Sequence, residues 1–428
     1  MYKLILSLVL ASGVFLSPCV STAINLTTWM TDNLVVLGDK TLPEISIPYS
    51  HDAGMYRSVS CSEGGFTGGT CNTQTQQFTI GEQLARGVRM FDLRPIQTSS
   101  GVFSVGHFTK IDHKPLNCVG GCLGGDMETI FTDIATFAQQ NPHELIILYF
   151  SHYYDQTAEG ADINIIATHE MKVAFIEYVK EKLGPYLFKI PPHNMSILRL
   201  KYNEILKYGN IIALFESLGS LEDVANGILS NDKLNTKGSY SDRNNLKEMK
   251  DIQFTHFFDF HYKPEDPALF LISWTLTQSN TQALCQYDIF LESIRALAAN
   301  ANSNFMLIEE ESKKLGKIPN IVAADFVDGT STLVAMRLSG IDVDMDIGCS
   351  TSNECGNHAC GYKTAADDAK ICCSNGEAVL YAARNYCTNM PDGSTCWSNA
   401  MCNSYYCKGN MGGLRHGTCE RRHLSDEL

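Results

Sequence analysis

Ten of the sixteen cysteines fall between Cys349 and Cys419, and eight of the ten repeat one spacing. Cys349, Cys355, Cys360 and Cys372 are spaced C-x5-C-x4-C-x11-C; Cys396, Cys402, Cys407 and Cys419 repeat that spacing 47 residues later. Such density marks a separate module held by disulfides. We read a duplicated unit with two bridges per copy and a further Cys373–Cys387 bridge between the copies; spacing leaves the connectivity within a copy open. Zinc ligation is the rival use of such cysteines, and an oxidising compartment disfavours it. The 428 residues therefore divide into a long part, expected over 24–345, and a cysteine-rich module over 346–420.

The ends of the chain point to the secretory pathway. Lys3, an apolar run from Leu4 to Leu16 and the small residues Ser21-Thr22-Ala23 read as a signal peptide over 1–23. A run of about 13 apolar residues is too short to span a bilayer. Asn25-Leu26-Thr27 and Asn194-Met195-Ser196 are glycosylation sequons. The tail over 421–428 ends in Ser425, Asp426, Glu427 and Leu428, which is similar to the KDEL address. The expected location is the ER lumen or the exterior, with an ER-retention receptor as partner of that tail. The net charge of −14 argues against nucleic acid as a partner and against strong electrostatic docking on anionic membranes.

The long part alternates strands and helices. Short apolar runs predict strands at Glu44–Pro48, Val88–Leu93, Phe103–Gly106, Leu145–Phe150, Asn210–Phe215, Leu269–Trp274 and Ile321–Phe326. Helical spacing links Met127, Ile130, Phe131, Ile134 and Phe137, then Phe175, Ile176, Val179 and Leu183, then Ile289, Phe290, Ile294 and Leu297. Repeated βα units predict either a parallel barrel or a doubly wound sheet. Of its five cysteines, Cys61 and Cys71 are close enough to pair, as are Cys118 and Cys122; this leaves Cys285 as a buried thiol.

In a parallel barrel, chemistry sits just past the C-terminal ends of the strands. Polar residues cluster there: Ser50-His51-Asp52 after the first strand, Asp92-Leu93-Arg94 after the second, His107 after the third, and Asp325 after the last. Two histidines divide acid and base work near neutral pH. Each needs a carboxylate to fix its tautomer, and an arginine forks onto two phosphate oxygens. The set suits cleavage of a phosphodiester.

These segments, IPYSHDAGMY, EQLARGVRMFDLR, VGH and LIILYFSHYYD, with IVAADFV near the end, resemble the X-domain of phosphatidylinositol-specific phospholipase C. The likeness covers residues 40 to 155 and resumes near Ile321. It implies a distorted (βα)8 TIM barrel followed here by the small disulfide-rich module. It also implies His51 as general base with Asp325 behind it, Arg94 on the phosphate, and His107 as general acid with Asp52 behind it. Asp92 and His152 are implied substrate-binding residues. No cofactor and no metal are implied, because Arg94 stands where calcium-dependent relatives carry a carboxylate. The implied partner is a phospholipid, met by transient peripheral membrane contact. The pattern departs from the family at Tyr49 and Phe108, which replace glycines and are expected to narrow the mouth, and at Phe215-Glu216, where a ring-binding arginine has no match. The rival readings are a phosphodiesterase acting on another headgroup and a binding protein that uses the cysteine-rich repeats with the barrel as scaffold.

Overall fold

In the computed structural model, residues 25–420 are described, apart from 62–67, 114–115, 157–166, 192–195, 286, 288–290, 344–351, 353–358, 364–369, 374–376, 382–383, 389, 391–392, 405 and 410–416. The signal segment, the second sequon at Asn194, the retention-like tail, Cys349 and Cys355 lie outside the described residues, as do the side chains of residues 110–118.

The strands of the long part are β1 (Ile47–Ser50), β2 (Met90–Leu93), β3 (Pro95–Gln97), β4 (Phe103–His113), β5 (Leu116–Asp126), β6 (Ile146–Phe150), β7 (Tyr154–Asp155), β8 (Ile211–Phe215), β9 (Ile228–Ser230), β10 (Thr236–Lys237), β11 (Leu269–Ser273) and β12 (Ile321–Ala324). Eight of them form one sheet in the order β10-β11-β12-β1-β2-β6-β8-β9, with every pairing parallel. Read around, that order follows the chain, with β12 returning to pair β1. This is the barrel alternative, not the doubly wound one. Among the described residues the ladder has one seam, between β9 and β10, so the barrel is distorted.

Strand alternation sorts the side chains. Ile47, Tyr49, Met90, Ile147, Ile212, Leu214, Leu269, Ile321 and Ala323 belong to one buried cluster, closed at one end by Trp29, Met30 and Leu37. Their neighbours Phe91, Leu93, Leu148, Phe150, Ala213, Phe215, Val322 and Ala324 belong to a second cluster with Ile130, Phe131, Phe175 and Val179 of the helices Met127–Gln140 and His169–Leu183. A strand buried on both faces is the expected partner of a helix-covered parallel sheet. Tyr49 is 2% exposed and sits within the interior, so it forms floor and does not narrow the rim. The third helix runs over Ile294–Asn302; Ile289 and Phe290 lie outside the described residues.

The strand that carries His107 is not a barrel strand. β4 and β5 make a long antiparallel hairpin, which extends into a second sheet in the order β5-β4-β3-β7. β5 holds Gly120, Gly121, Gly124 and Gly125, so it reads as loop in the sequence. The glycines let chains pass closely. A Cβ on Gly121, whose φ is 153°, would meet the His107 carbonyl oxygen, and one on Gly124 would lie 2.6 Å from the Gly54 oxygen.

The cysteine pairs of the long part differ from the local ones expected. Cys61 bonds Cys122, and Cys71 bonds Cys285, which is therefore not a free thiol. Residues just past the first strand run along the hairpin instead of folding back on themselves: Val59 and Leu123 exchange backbone hydrogen bonds of 2.8 and 2.9 Å, which brings Cys61 to Cys122. Asn72 donates to the Ala283 carbonyl at 2.7 Å, beside the second bridge. Non-reducing peptide mapping should recover Cys61–Cys122 and Cys71–Cys285; a Cys61–Cys71 peptide would contradict this arrangement.

The tail region is disulfide-rich as expected. Cys396 pairs Cys407, Cys402 pairs Cys419, and Cys373 pairs Cys387. The duplication extends to register: Cys360 faces Cys372 across one antiparallel pair, and Cys407 faces Cys419 across another.

Candidate active site

The inward register of the barrel strands continues one step past their ends. Position 49 points in, and so does 51; 90 is followed by 92 and 94, 149 by 151, 214 by 216, and 323 by 325. This places His51, Asp92, Arg94, Ser151, Glu216 and Asp325 around one mouth, at the end where parallel barrels carry chemistry. Asp52 and His152 are one residue out of that register, and each has a left-handed backbone, with φ of 43° and 50°. Such conformations are uncommon for non-glycine residues and concentrate at functional sites.

Two His–Asp pairs meet there. His51 Nδ1 lies 2.7 Å from Asp325 Oδ1, and His107 Nδ1 lies 2.6 Å from Asp52 Oδ2. Arg94 joins them: its Nη2 donates to His51 Nε2 at 2.9 Å, and its Nη1 is 3.2 Å from Asp52 Oδ2. Asp92 holds the same guanidinium through Nε at 3.2 Å and Nη2 at 3.1 Å. With Arg94 as donor, Nε2 is the accepting nitrogen of His51, and the Nδ1 proton is directed at Asp325.

Burial would push His51 down, but the charge of Asp325 and its hydrogen bond outweigh burial and leave the imidazole above its ordinary pKa. Burial would raise Asp52, but Arg94 and the His107 hydrogen bond hold its carboxyl below the usual range. Burial also opposes charge on Arg94, and the carboxylates of Asp52 and Asp92 overcome it, so the guanidinium stays charged. Tyr149, one step below in the same wall, is pushed up to about 12, by burial first and then by Glu216 and Asp92, and keeps its proton.

Every residue singled out from the sequence for this site comes to it: His51, Asp52, Asp92, Arg94, His107, His152 and Asp325. His107 arrives from the hairpin, opposite Cys122, and not from a barrel strand end. Three further residues take part. Gln76 is fully buried; its Nε2 donates to the carbonyls of His51 at 2.8 Å and Ala324 at 3.2 Å, and its Oε1 accepts from Val327 N–H at 3.0 Å. It thereby ties the loop of His51 to the loop that follows Ala324 and carries Asp325. The ring of Tyr240 lies 5.1 Å from that of His51. Ser151 donates to Asp92 Oδ1 at 2.8 Å. Gln76 and Tyr240 lie in loop segments that carry no motif.

No family model matches the chain. A PI-PLC X-box domain-containing protein of Dictyostelium discoideum is 27% identical over 143 residues, covering 31% of this chain and 18% of that protein. The family the chain resembles is that of the phosphatidylinositol-specific phospholipase C X-domain. The chain thus spans about a fifth of the length of that X-domain relative. The solved phosphatidylinositol-specific phospholipase C of Listeria monocytogenes is 16% identical with a TM-score of 0.49, covering 74% of this chain and 99% of its own. A Staphylococcus aureus phosphatidylinositol-specific phospholipase C gives 16% identity and a TM-score of 0.48, covering 74% and 98%.

Proposed function

We propose that the protein is a phosphodiesterase of the phosphatidylinositol-specific phospholipase C type, acting on an inositol phospholipid at a membrane surface. The observation that carries this reading is the pair of His–Asp couples joined through Arg94 at the mouth. A hydroxyl on the headgroup gives its proton to His51 Nε2, while Asp325 steadies the imidazolium that forms. The freed oxygen attacks phosphorus, and Arg94 holds the charge that builds on the non-bridging oxygens. His107, oriented by Asp52, protonates the diacylglycerol oxygen as its bond to phosphorus breaks. The products are a cyclic phosphodiester and diacylglycerol. Arg94 must release His51 Nε2 as it turns to the phosphate, so substrate binding itself uncovers the base.

The same reading expects metal-independent cleavage, because the Arg94 guanidinium, paired with Asp52 and Asp92, supplies a fixed positive charge where the phosphate would sit. We further propose that the protein works in the secretory pathway, as its terminal segments and its disulfides suggest. The test uses vesicles of labelled phosphatidylinositol and of labelled phosphatidylcholine in excess EGTA. The expected result is a water-soluble cyclic phosphodiester from the inositol lipid. No release from any phospholipid overturns the enzyme reading, and abolition by EGTA overturns the role given to Arg94.

A further inference from the structure

Ser151 has one proton to give and two polar neighbours. Its Oγ lies 2.8 Å from Asp92 Oδ1 and 2.8 Å from His152 Nδ1. The other oxygen of Asp92 accepts from Arg94 and from the Asp52 backbone N–H at 3.2 Å. A carboxylate paired with arginine only accepts, so the hydroxyl proton goes to Asp92. Ser151 Oγ is then left as an acceptor, and among the described residues the group that fills it is a proton on His152 Nδ1. Ser151 itself is fully buried and held by its backbone N–H on the Leu93 carbonyl at 3.1 Å, so this chain of bonds cannot swing away.

We infer that Ser151 is a positioning residue that locks His152 as the Nδ1–H tautomer, and that His152 Nε2 then accepts a hydrogen bond from a headgroup hydroxyl other than the nucleophile. The inference rests on the reading given under Proposed function. His152 is exposed at the mouth, and its backbone N–H donates to Glu216 Oε2 at 3.2 Å. Its left-handed φ of 50° turns it out of the strand register and holds it beside that carboxylate. Partial burial, followed by the charge of Arg94, keeps the imidazole below its ordinary pKa, so it stays neutral. A neutral acceptor beside Glu216 suits a free hydroxyl. A phosphate there finds no donor from His152 and a facing carboxylate, so the ligand class is a polyol headgroup unphosphorylated at that position.

The test reads the tautomer directly. In the full 15N-labelled protein, the His152 ring nitrogens should show a protonated Nδ1 and a bare Nε2. Ser151→Ala should convert the ring to the Nε2–H form that free neutral histidine favours, and Ser151→Thr should restore the Nδ1–H form. With phosphatidylinositol vesicles, Ser151→Ala should raise KM about tenfold, more than it lowers kcat, the size of one lost hydrogen bond; Ser151→Thr should recover it. Nε2–H in the wild type, or a tautomer unmoved by Ser151→Ala, overturns the lock. A KM unmoved by Ser151→Ala, with turnover intact, overturns the use of Nε2. The NMR result stands whether or not the protein cleaves inositol lipids, so failure of the lock and failure of the enzyme reading are told apart.

Discussion

His51→Ala should lower kcat/KM on phosphatidylinositol by about 10³-fold or more, the scale of losing a positioned base. The more specific result comes from its partner. His51 accepts a proton only when neutral, so activity rises as pH passes upward through its pKa. The groups that face it are Asp325, Arg94 and Asp92, with the Tyr240 ring alongside. Burial and Arg94 push its pKa down; Asp325 and Asp92 push it up and prevail. The acid limb of kcat/KM should therefore lie above the ordinary imidazole value of about 6.5. Asp325→Asn removes the largest upward push while keeping the shape. The limb should then move to lower pH even as the maximal rate falls. A raised pKa also stabilises the fold below the unfolded value, and that contribution disappears as pH rises through the raised one. Asp325→Asn should therefore lose stability mainly on the acid side. A limb that stays in place in Asp325→Asn, or a His51→Ala variant within tenfold of wild type, would refute the assignment of His51 as base.

The site was legible because its residues obey a rule that spacing carries. His51, Asp92, Arg94 and Asp325 sit on the inward parity of strands whose apolar runs stand out, and a parallel barrel aims its strand ends at one mouth. The assignment of roles came from the family resemblance, not from spacing. The hairpin was hidden because four glycines in β5 look like a turn region, and strands as short as β9 and β10 leave no periodic trace. Disulfide pairing was hidden for a different reason. Proximity in sequence favours Cys61–Cys71, whereas the observed partners are set by Val59 lying along Leu123 and by Asn72 reaching Ala283, contacts between segments far apart in the chain. Ser151 lies in the LIILYFSHYYD segment, yet the segment assigns it no role; its meaning depends on which neighbour takes its proton.

The largest effect on stability is expected far from the mouth, where β2 and β6 begin. Arg89 and Glu144 are both fully buried. Arg89 Nε and Nη2 donate to Glu144 Oε2 at 2.8 and 2.7 Å, and the remaining guanidinium protons go to the carbonyls of Leu84, Val88, Leu26 and Thr27. Glu144 Oε1 accepts from the Thr31 backbone N–H at 2.7 Å and its hydroxyl at 2.6 Å. The pair thus straps residues 26–31, with Trp29 and Met30, across the end of the barrel interior. Glu144→Ala leaves a buried guanidinium without its counter-charge, which costs about 3–5 kcal/mol. For a domain of this size that is a fall in melting temperature of roughly 6–15 °C. An apolar replacement of both partners, Arg89→Met with Glu144→Leu, removes the stranded charge and should recover most of the loss. It should not recover all of it, because the Thr31 donors lose their acceptor, at about 1–3 kcal/mol for a buried unpaired group. Thermal melts of wild type, single and double variants decide the matter. A double variant no more stable than Glu144→Ala would mean that the hydrogen bonds to the N-terminal segment, and not the paired charges, hold this end of the barrel closed.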